Sequence, residues 1–82
     1  MKKFYVTGSL EYEREITFRE RTTKRVIIAS FDRFVEAESA AEAMETVTEK
    51  VKKKHEKTNV GKINWVKINK IRVFELVIEQ EA

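Results

Sequence analysis

Residues Ser39 to Lys57 have the periodicity of an amphipathic helix, and this stretch constrains the fold more than any other. Its apolar residues recur three or four positions apart, so they form one stripe on a helical wheel: Ala40, Ala43, Met44, Val47 and Val51. Ser39 is a suitable N-cap, and Glu42 completes the spacing of a capping box. Asn59 and Gly61 can adopt the left-handed conformation that stops a helix. The flanking segments must therefore supply a surface that buries this stripe.

The segment before the helix has the alternating pattern of two β-strands. Apolar residues hold even positions from Phe4 to Phe18, which predicts one long bent strand. Gly8 within it marks a bulge or a close backbone approach. Residues 20–25 are the best turn, and the pattern from Val26 to Ala37 predicts a second strand that forms an antiparallel hairpin with the first. Phe34 is out of phase with Phe31, so we expect a bulge near residues 32–33.

The segment after the helix begins with a polar loop over residues 57–62 and is strand-like from Ile63 to Ile78. Its alternation slips more than once, and two interpretations fit. One is a single long bulged strand, which we favour. The other is a hairpin that turns at Asn69 and Lys70, a pair without the glycine that two-residue turns prefer.

These segments predict an α+β fold in the order β-β-α-β, with one helix packed on a face of an antiparallel sheet. The sheet has three strands, or four if residues 63–78 form a hairpin. The 82 residues make one domain, with 41% apolar and 38% charged residues, which is typical of a folded domain with a charged surface. Because so small a domain has a thin core, a homodimer interface would add stability.

The composition disfavours an enzyme and predicts no cofactor and no metal. The chain has no cysteine, one histidine (His55) and no glycine-rich phosphate loop. Glu11, Glu13 and Glu15 share one face of the first strand, and we interpret them as a solvated acidic edge of the sheet that discourages aggregation. The sequence has no apolar run long enough for a membrane span and no visible signal peptide, so we expect a cytoplasmic protein.

Two regions have opposite charge. Residues 36–49 include an acidic run of Glu36, Glu38, Glu42, Glu45 and Glu49, a surface on which a basic partner could dock. From Lys50 to Arg72 the chain is basic, and Trp65 lies inside this region. Basic side chains around an aromatic ring suit a phosphate backbone and a stacked base. The candidate binding residues are Lys50, Lys53, Lys54, Lys57, Lys62, Trp65, Lys67, Lys70 and Arg72.

The passage from Phe34 to Ala43, with the sequence F-V-E-A-E-S-A-A-E-A, resembles the strand-to-helix entry V-x-A-x-S-x-x-E-A of small phage-encoded proteins, including some anti-CRISPR proteins. The start F-Y-V-T-G, residues 4–8, is similar to that of the archaeal ribosomal LX protein, whose Gly-Ser-x-His segment after the helix is missing here. The resemblance covers about ten residues at a fold junction. It carries over no functional residue.

These observations lead to a functional hypothesis and one alternative. The hypothesis is a small non-enzymatic binding protein, such as a phage accessory factor of the anti-CRISPR type that inhibits a host protein or nucleoprotein complex in the host cytoplasm. The alternative is a nucleic-acid-binding protein that uses the basic region from Lys50 to Arg72. Neither involves a membrane.

Overall fold

The computed structural model describes residues 1–57 and 61–78. These residues form strand β1 (Lys2–Phe18), strand β2 (Arg21–Ala37), helix α1 (Ala40–Glu56) and strand β3 (Lys62–Leu76). The strands make one antiparallel sheet in the order β2-β1-β3, so β1 is central. The predicted α+β class and the β-β-α-β order are confirmed, and the sheet has three strands.

A two-residue turn joins β1 to β2 at Arg19 and Glu20, whose φ angles are 49° and 68°. Positive φ at both positions is what a type I′ hairpin turn requires. The turn predicted over residues 20–25 is therefore misplaced, because β2 already begins at Arg21. Thr22 belongs to the strand, since β-branched residues suit extended backbone, and its hydroxyl lies 3.1 Å from that of Thr17 across the hairpin.

Strand β2 pairs with β1 residue for residue along its whole length, with no shift of register. The bulge expected near residues 32–33 is therefore wrong. Phe34 is out of phase with Phe31 because it lies on the other face of the sheet, where its side chain is 74% exposed, whereas Phe31 is buried.

Strand β3 is a single bulged strand, as we favoured from its slipping alternation. Its register against β1 shifts between Ser9 and Leu10 and again between Glu13 and Arg14. Each shift leaves one residue of β3 without a partner on β1, Asn69 in the first case and Asn64 in the second. The hairpin alternative at Asn69 and Lys70 is thus excluded.

Helix α1 begins as predicted. The Ser39 hydroxyl accepts a hydrogen bond from the Glu42 backbone N–H at 3.2 Å. The Glu42 carboxylate accepts from the backbone N–H of Glu38 rather than from that of Ser39, which modifies the expected capping box. The helix ends at Glu56. Its C-cap, Lys57, is extended, so Gly61 does not stop the helix although its φ of 77° is left-handed; Asn59, the other predicted stop residue, lies outside the described residues.

The core lies between α1 and one face of the sheet. The helix contributes Ala43, Val47 and Val51, which form one i, i+4 row. Ala40 and Met44, the other members of the predicted stripe, form the neighbouring row and are exposed at its margin. The sheet contributes the buried side chains of Phe4, Val6, Leu10, Phe31 and Ala37.

Gly8 lies at the centre of this core face, and its position confirms the close approach expected there. A Cβ atom at Gly8 would be 2.7 Å from Cζ of Phe31 and would collide with the backbone oxygen of Lys70. The Phe31 ring therefore occupies the space that a larger residue would need.

The molecule is long because the strands are much longer than the helix. Strands of 17 residues span about 56 Å at 3.3 Å per residue, whereas a 17-residue helix spans about 25 Å. The principal dimensions are 69 × 17 × 17 Å. The radius of gyration is 16.8 Å, against roughly 12 Å for a compact domain of this length. The helix thus covers the sheet from the chain start to Tyr12, whose ring lies 5.3 Å from that of His55.

Candidate functional site

The face of the sheet opposite α1, here called the open face, has no covering element among the described residues. In an antiparallel sheet, directly opposed residues share a face. The open face therefore consists of the odd-numbered residues of β1, the even-numbered residues of β2 and their partners on β3. It carries both apolar and charged side chains.

Three aromatic side chains form a row across the open face, one from each strand. Tyr5 of the central strand pairs with Phe34 on β2 and with Phe74 on β3. The Tyr5 ring centroid lies 4.9 Å from that of Phe34 and 6.3 Å from that of Phe74. These distances are in the range of favourable aromatic contacts. We call this set the aromatic row.

Tyr5 is fixed within the aromatic row by its hydroxyl, which donates a hydrogen bond to Oδ2 of Asp32 at 3.0 Å. That hydrogen bond raises the pKa of Tyr5 above its usual value, and desolvation and the charge of Asp32 act in the same direction. The hydrogen bond to Asp32 holds the Tyr5 ring in a defined orientation.

A shallow depression of about 450 Å³ borders the aromatic row at the end of the sheet. It is lined by Phe34 and Leu76 of the open face, by Val35, and by the charged residues Lys3 and Glu36. The depression is wide open, so it suits a protruding side chain of a partner better than an enclosed small molecule.

The opposite part of the open face is charged. Glu11, Glu13 and Glu15 lie on the central strand β1 and are half-buried. The prediction of a solvated acidic edge is therefore wrong, because β1 pairs with β2 on one side and with β3 on the other. The amide of Asn69 donates to Glu11 at 2.8 Å, and the amide of Asn64 donates to Glu13 at 2.9 Å. The two bulge residues thus satisfy two of these three carboxylates.

The predicted basic residues lie on two separate surfaces. One group lies on the open face along β3, since its members oppose odd-numbered residues of β1: Lys62, Trp65, Lys67, Lys70 and Arg72. The other group belongs to the helix and its C-cap, on the other side of the sheet: Lys50, Lys53, Lys54 and Lys57. The two groups therefore lie on opposite sides of the sheet.

Two of the four basic side chains of β3 on the open face lie opposite acidic residues of β1, whereas Lys70 and Arg72 lie opposite Ser9 and Thr7. Lys67 is directly opposite Glu11, and Lys62 is opposite Glu15, which also pairs with Lys24 at 3.6 Å. Along the whole open face the charges nearly balance. The basic residues are Lys3, Lys24, Lys62, Lys67, Lys70 and Arg72, and the acidic ones are Glu11, Glu13, Glu15, Asp32 and Glu36.

His55 has a structural position at the end of the helix, as expected from the sequence. Its Nδ1 lies 2.9 Å from the backbone oxygen of Val51, and its ring packs on Tyr12. Within residues 1–57 and 61–78, no three acidic or histidine side chains are grouped closely enough to hold a metal ion. Over the same residues, α1 is too short and too polar to cross a bilayer.

The aromatic row was missed by sequence reasoning. The signal for it was the phase of Phe34, which we attributed to a bulge. In an unbulged strand the same phase places Phe34 on the uncovered face, where an aromatic side chain is unexpected.

Comparison of the chain with protein-family models, with curated proteins and with solved structures found no match. The geometry of the chain itself is therefore the basis for its candidate function.

Proposed function

We propose that this protein is a non-enzymatic binding protein that docks on another protein through the open face. The observation that supports this most directly is the aromatic row, in which Phe34 is 74% and Phe74 is 48% exposed. Leu76 and the depression beside it extend the row into one apolar patch. Contiguous exposed apolar patches of this kind mark protein interaction sites.

The patch is suited to form the centre of an interface. Burying one large apolar side chain contributes roughly 1.5–3 kcal/mol, and Tyr is enriched among residues that dominate binding energy. The aromatic row is carried by three paired strands, and the Tyr5 hydroxyl is already bonded to Asp32. Little conformational entropy is therefore lost when a partner binds.

The balanced charge of the open face favours a protein partner over a nucleic acid. A polyphosphate chain needs a surface of net positive potential, whereas Lys62 and Lys67 of β3 lie opposite Glu15 and Glu11 of β1. Mixed charges around an apolar centre are typical of the polar rim of a protein interface. The resemblance of residues 34–43 to phage-encoded inhibitors makes a host protein or nucleoprotein complex in the host cytoplasm the partner class to test first.

The experiment compares two phenylalanines that are both exposed. Phe74 belongs to the aromatic row, and Phe18, 69% exposed, lies at the hairpin turn outside it. The full-length chain, Phe74→Ser and Phe18→Ser are each immobilised and exposed to bacterial lysate, and captured proteins are then purified and titrated by calorimetry. We expect a stoichiometric protein partner whose affinity falls at least about tenfold with Phe74→Ser and stays unchanged with Phe18→Ser.

Two results would contradict the proposal. One is the absence of any stoichiometric protein partner. The other is a partner that binds Phe74→Ser as tightly as it binds the unmodified chain, since the contact would then lie elsewhere. Circular dichroism of each variant establishes that the fold is retained.

A second candidate function, nucleic-acid binding, is favoured by the position of Trp65. This residue is 40% exposed on the open face and shares β3 with Lys67, Lys70 and Arg72. An exposed aromatic ring beside basic side chains can stack on a base while the cations contact phosphates. The contribution of the helical lysines would be absent, because they lie on the other side of the sheet.

Trp65 is the only tryptophan, so its fluorescence reports this alternative directly. Random single-stranded DNA and RNA are titrated into the protein over a series of salt concentrations. Nucleic-acid binding predicts quenching that weakens as salt rises and is lost in the double variant Lys67→Gln/Lys70→Gln. The matched helix variant Lys53→Gln/Lys54→Gln should bind normally. No quenching at the lowest salt would rule the alternative out.

A further inference from the structure

The two outer edges of the sheet are protected to different degrees. The β3 edge is interrupted by two register shifts and carries Lys62, Lys67 and Lys70, which are devices that discourage pairing with another strand. The β2 edge has no register shift, and its charged residues lie on either side of residues 26–31 and do not interrupt them. Its residues 26–31, V-I-I-A-S-F, form an uncharged run of high β-propensity. A run of this type on a regular edge is prone to pair with a further strand.

The backbone groups needed for such pairing point away from the sheet on β2. Alternate residues of an edge strand turn their N–H and C=O groups away from the sheet. The carbonyl of Asp32 accepts a hydrogen bond at 2.6 Å from the Arg33 side chain, so this carbonyl points outward. By regular alternation, the carbonyls of the other even-numbered residues of β2 also point outward. Outside the strand ladders and the helix, the described residues form one backbone hydrogen bond, between Ala43 and Ser39, and it does not involve β2.

We propose that β2 pairs antiparallel with β2 of a second copy of this chain, giving a two-fold symmetric dimer with a continuous six-stranded sheet. The order of charges that β2 carries on the open face supports this occupant. Lys24 lies in the first half of the strand, whereas Asp32 and Glu36 lie in the second half. Antiparallel self-pairing brings the first half of one copy against the second half of the other, so opposite charges meet.

We centre this pairing on Ser30, a register in which no like charges of the open face oppose each other and Ile28 lies opposite the second copy's Asp32. In this register Lys24 lies opposite the second copy's Glu36, and Val26 lies opposite the second copy's Phe34. Both are favourable cross-strand pairs. Moving the centre to Asp32 would place two aspartates against each other. The two-fold axis is then perpendicular to the sheet, so both helices lie on one side and the two open faces become continuous.

This inference goes beyond the proposed function and does not depend on it. Phe74 lies on β3 and Tyr5 on β1, away from the proposed contact between the two β2 strands. A variant that breaks the dimer therefore leaves most of the aromatic row in place, so failure of the dimer and failure of partner binding are distinguishable.

The first experiment measures the mass of the full-length chain in solution by light scattering and sedimentation. We expect twice the 9.7 kDa of one chain, and the mass of a single chain for Ser30→Lys. The Ser30 side chain is exposed, so lysine is compatible with the folded monomer, but at the two-fold axis it faces its own copy and repels it. Ser30→Thr is the matched control and should remain dimeric. A single-chain mass for the unmodified protein at high concentration would overturn the proposal.

The second experiment tests the register with a single cysteine in a chain that has none. At position 30 the two Cα atoms would be about 5.5 Å apart, within the range of a disulfide. Under oxidising conditions, Ser30→Cys should therefore form a covalent dimer. Thr22→Cys is exposed on the same strand, but its counterpart would be about 50 Å away in this register. Cross-linking of both variants to the same extent, or of neither, would overturn the proposed pairing.

Discussion

The helix-covered face and the open face of the sheet differ in burial although both carry aromatic side chains. Phe31 and Phe34 lie three residues apart on the same strand, yet Phe31 is 6% and Phe34 is 74% exposed. The unbulged strand turns them to opposite faces, and only one face receives the row of Ala43, Val47 and Val51. Apolar content therefore does not distinguish the buried face of this sheet from its exposed face. The two faces are distinguished by the position of the one short helix.

This difference implies separate roles for the two faces. Side chains on the covered face should determine whether the chain folds, because they remove apolar surface from water within a single molecule. Side chains on the open face remain hydrated in the monomer and, under the proposed function, would be buried only when a partner binds. Substitutions on the two faces should therefore separate stability from binding, and the following tests are ordered by the size of the expected effect.

The largest effect is expected from Leu10→Ala compared with the same substitution at Leu76. Leu10 is fully buried on the covered face, whereas Leu76 is 45% exposed on the open face. We expect Leu10→Ala to lower the free energy of unfolding by about 3 kcal/mol and Leu76→Ala by less than about 1 kcal/mol. Urea unfolding followed by circular dichroism measures both. Equal losses would show that the open face is buried in the isolated protein.

The second-largest loss of stability is expected from a substitution of Gly8, which lies beneath the Phe31 ring. In Gly8→Ala the new Cβ would meet the Phe31 ring and the Lys70 backbone, so strand β3 or the ring must shift. We expect a loss of about 2 kcal/mol, the usual cost of overpacking a core. Ser9→Ala, on the open face beside it, is the control and should change stability by less than about 0.5 kcal/mol. A stable Gly8→Ala variant would mean that the close approach is not rigid.

A smaller effect is expected at the start of the helix that creates the difference between the faces. Ser39→Ala removes the hydroxyl that accepts the Glu42 backbone N–H. The expected cost is about 1 kcal/mol, the usual value for loss of an N-cap. Ser30→Ala is the control, because it removes an exposed hydroxyl from a strand and should be nearly neutral. A neutral Ser39→Ala would show that packing alone sets the helix boundary.

The smallest expected effect is a change in the pKa of Tyr5, which lies on the open face. Asp32→Ala removes the hydrogen bond and the charge that raise the pKa of Tyr5, so this pKa should fall towards its usual value. Because the folded-state pKa is raised, the contact stabilises the fold below pH about 10 and this contribution is lost as pH rises through the folded-state value. Ultraviolet absorbance of tyrosinate in a Tyr12→Phe background measures it. An unchanged pKa would mean that the contact does not persist in solution.

The amino-acid sequence was sufficient to predict the elements of this fold. The spacing of the apolar residues and the N-cap Ser39 predict the helix, and the alternation of apolar and polar residues predicts the strands before and after it. Both patterns depend only on local geometry. The prediction failed where position in the sheet matters. The acidic residues Glu11 and Glu13 look like an edge from local sequence, and they became central only because β3 pairs beside β1.

The candidate site was less predictable than the fold. The basic region from Lys50 to Arg72 is continuous in sequence, but the sheet divides it between two faces. Tyr5, Phe34 and Phe74 are far apart in sequence and meet only through strand pairing. Local periodicity thus determined which segments are helix and strand. Tertiary structure alone decided which face the helix covers, and therefore which aromatic side chains remain exposed, because that choice depends on contacts between residues distant in the chain.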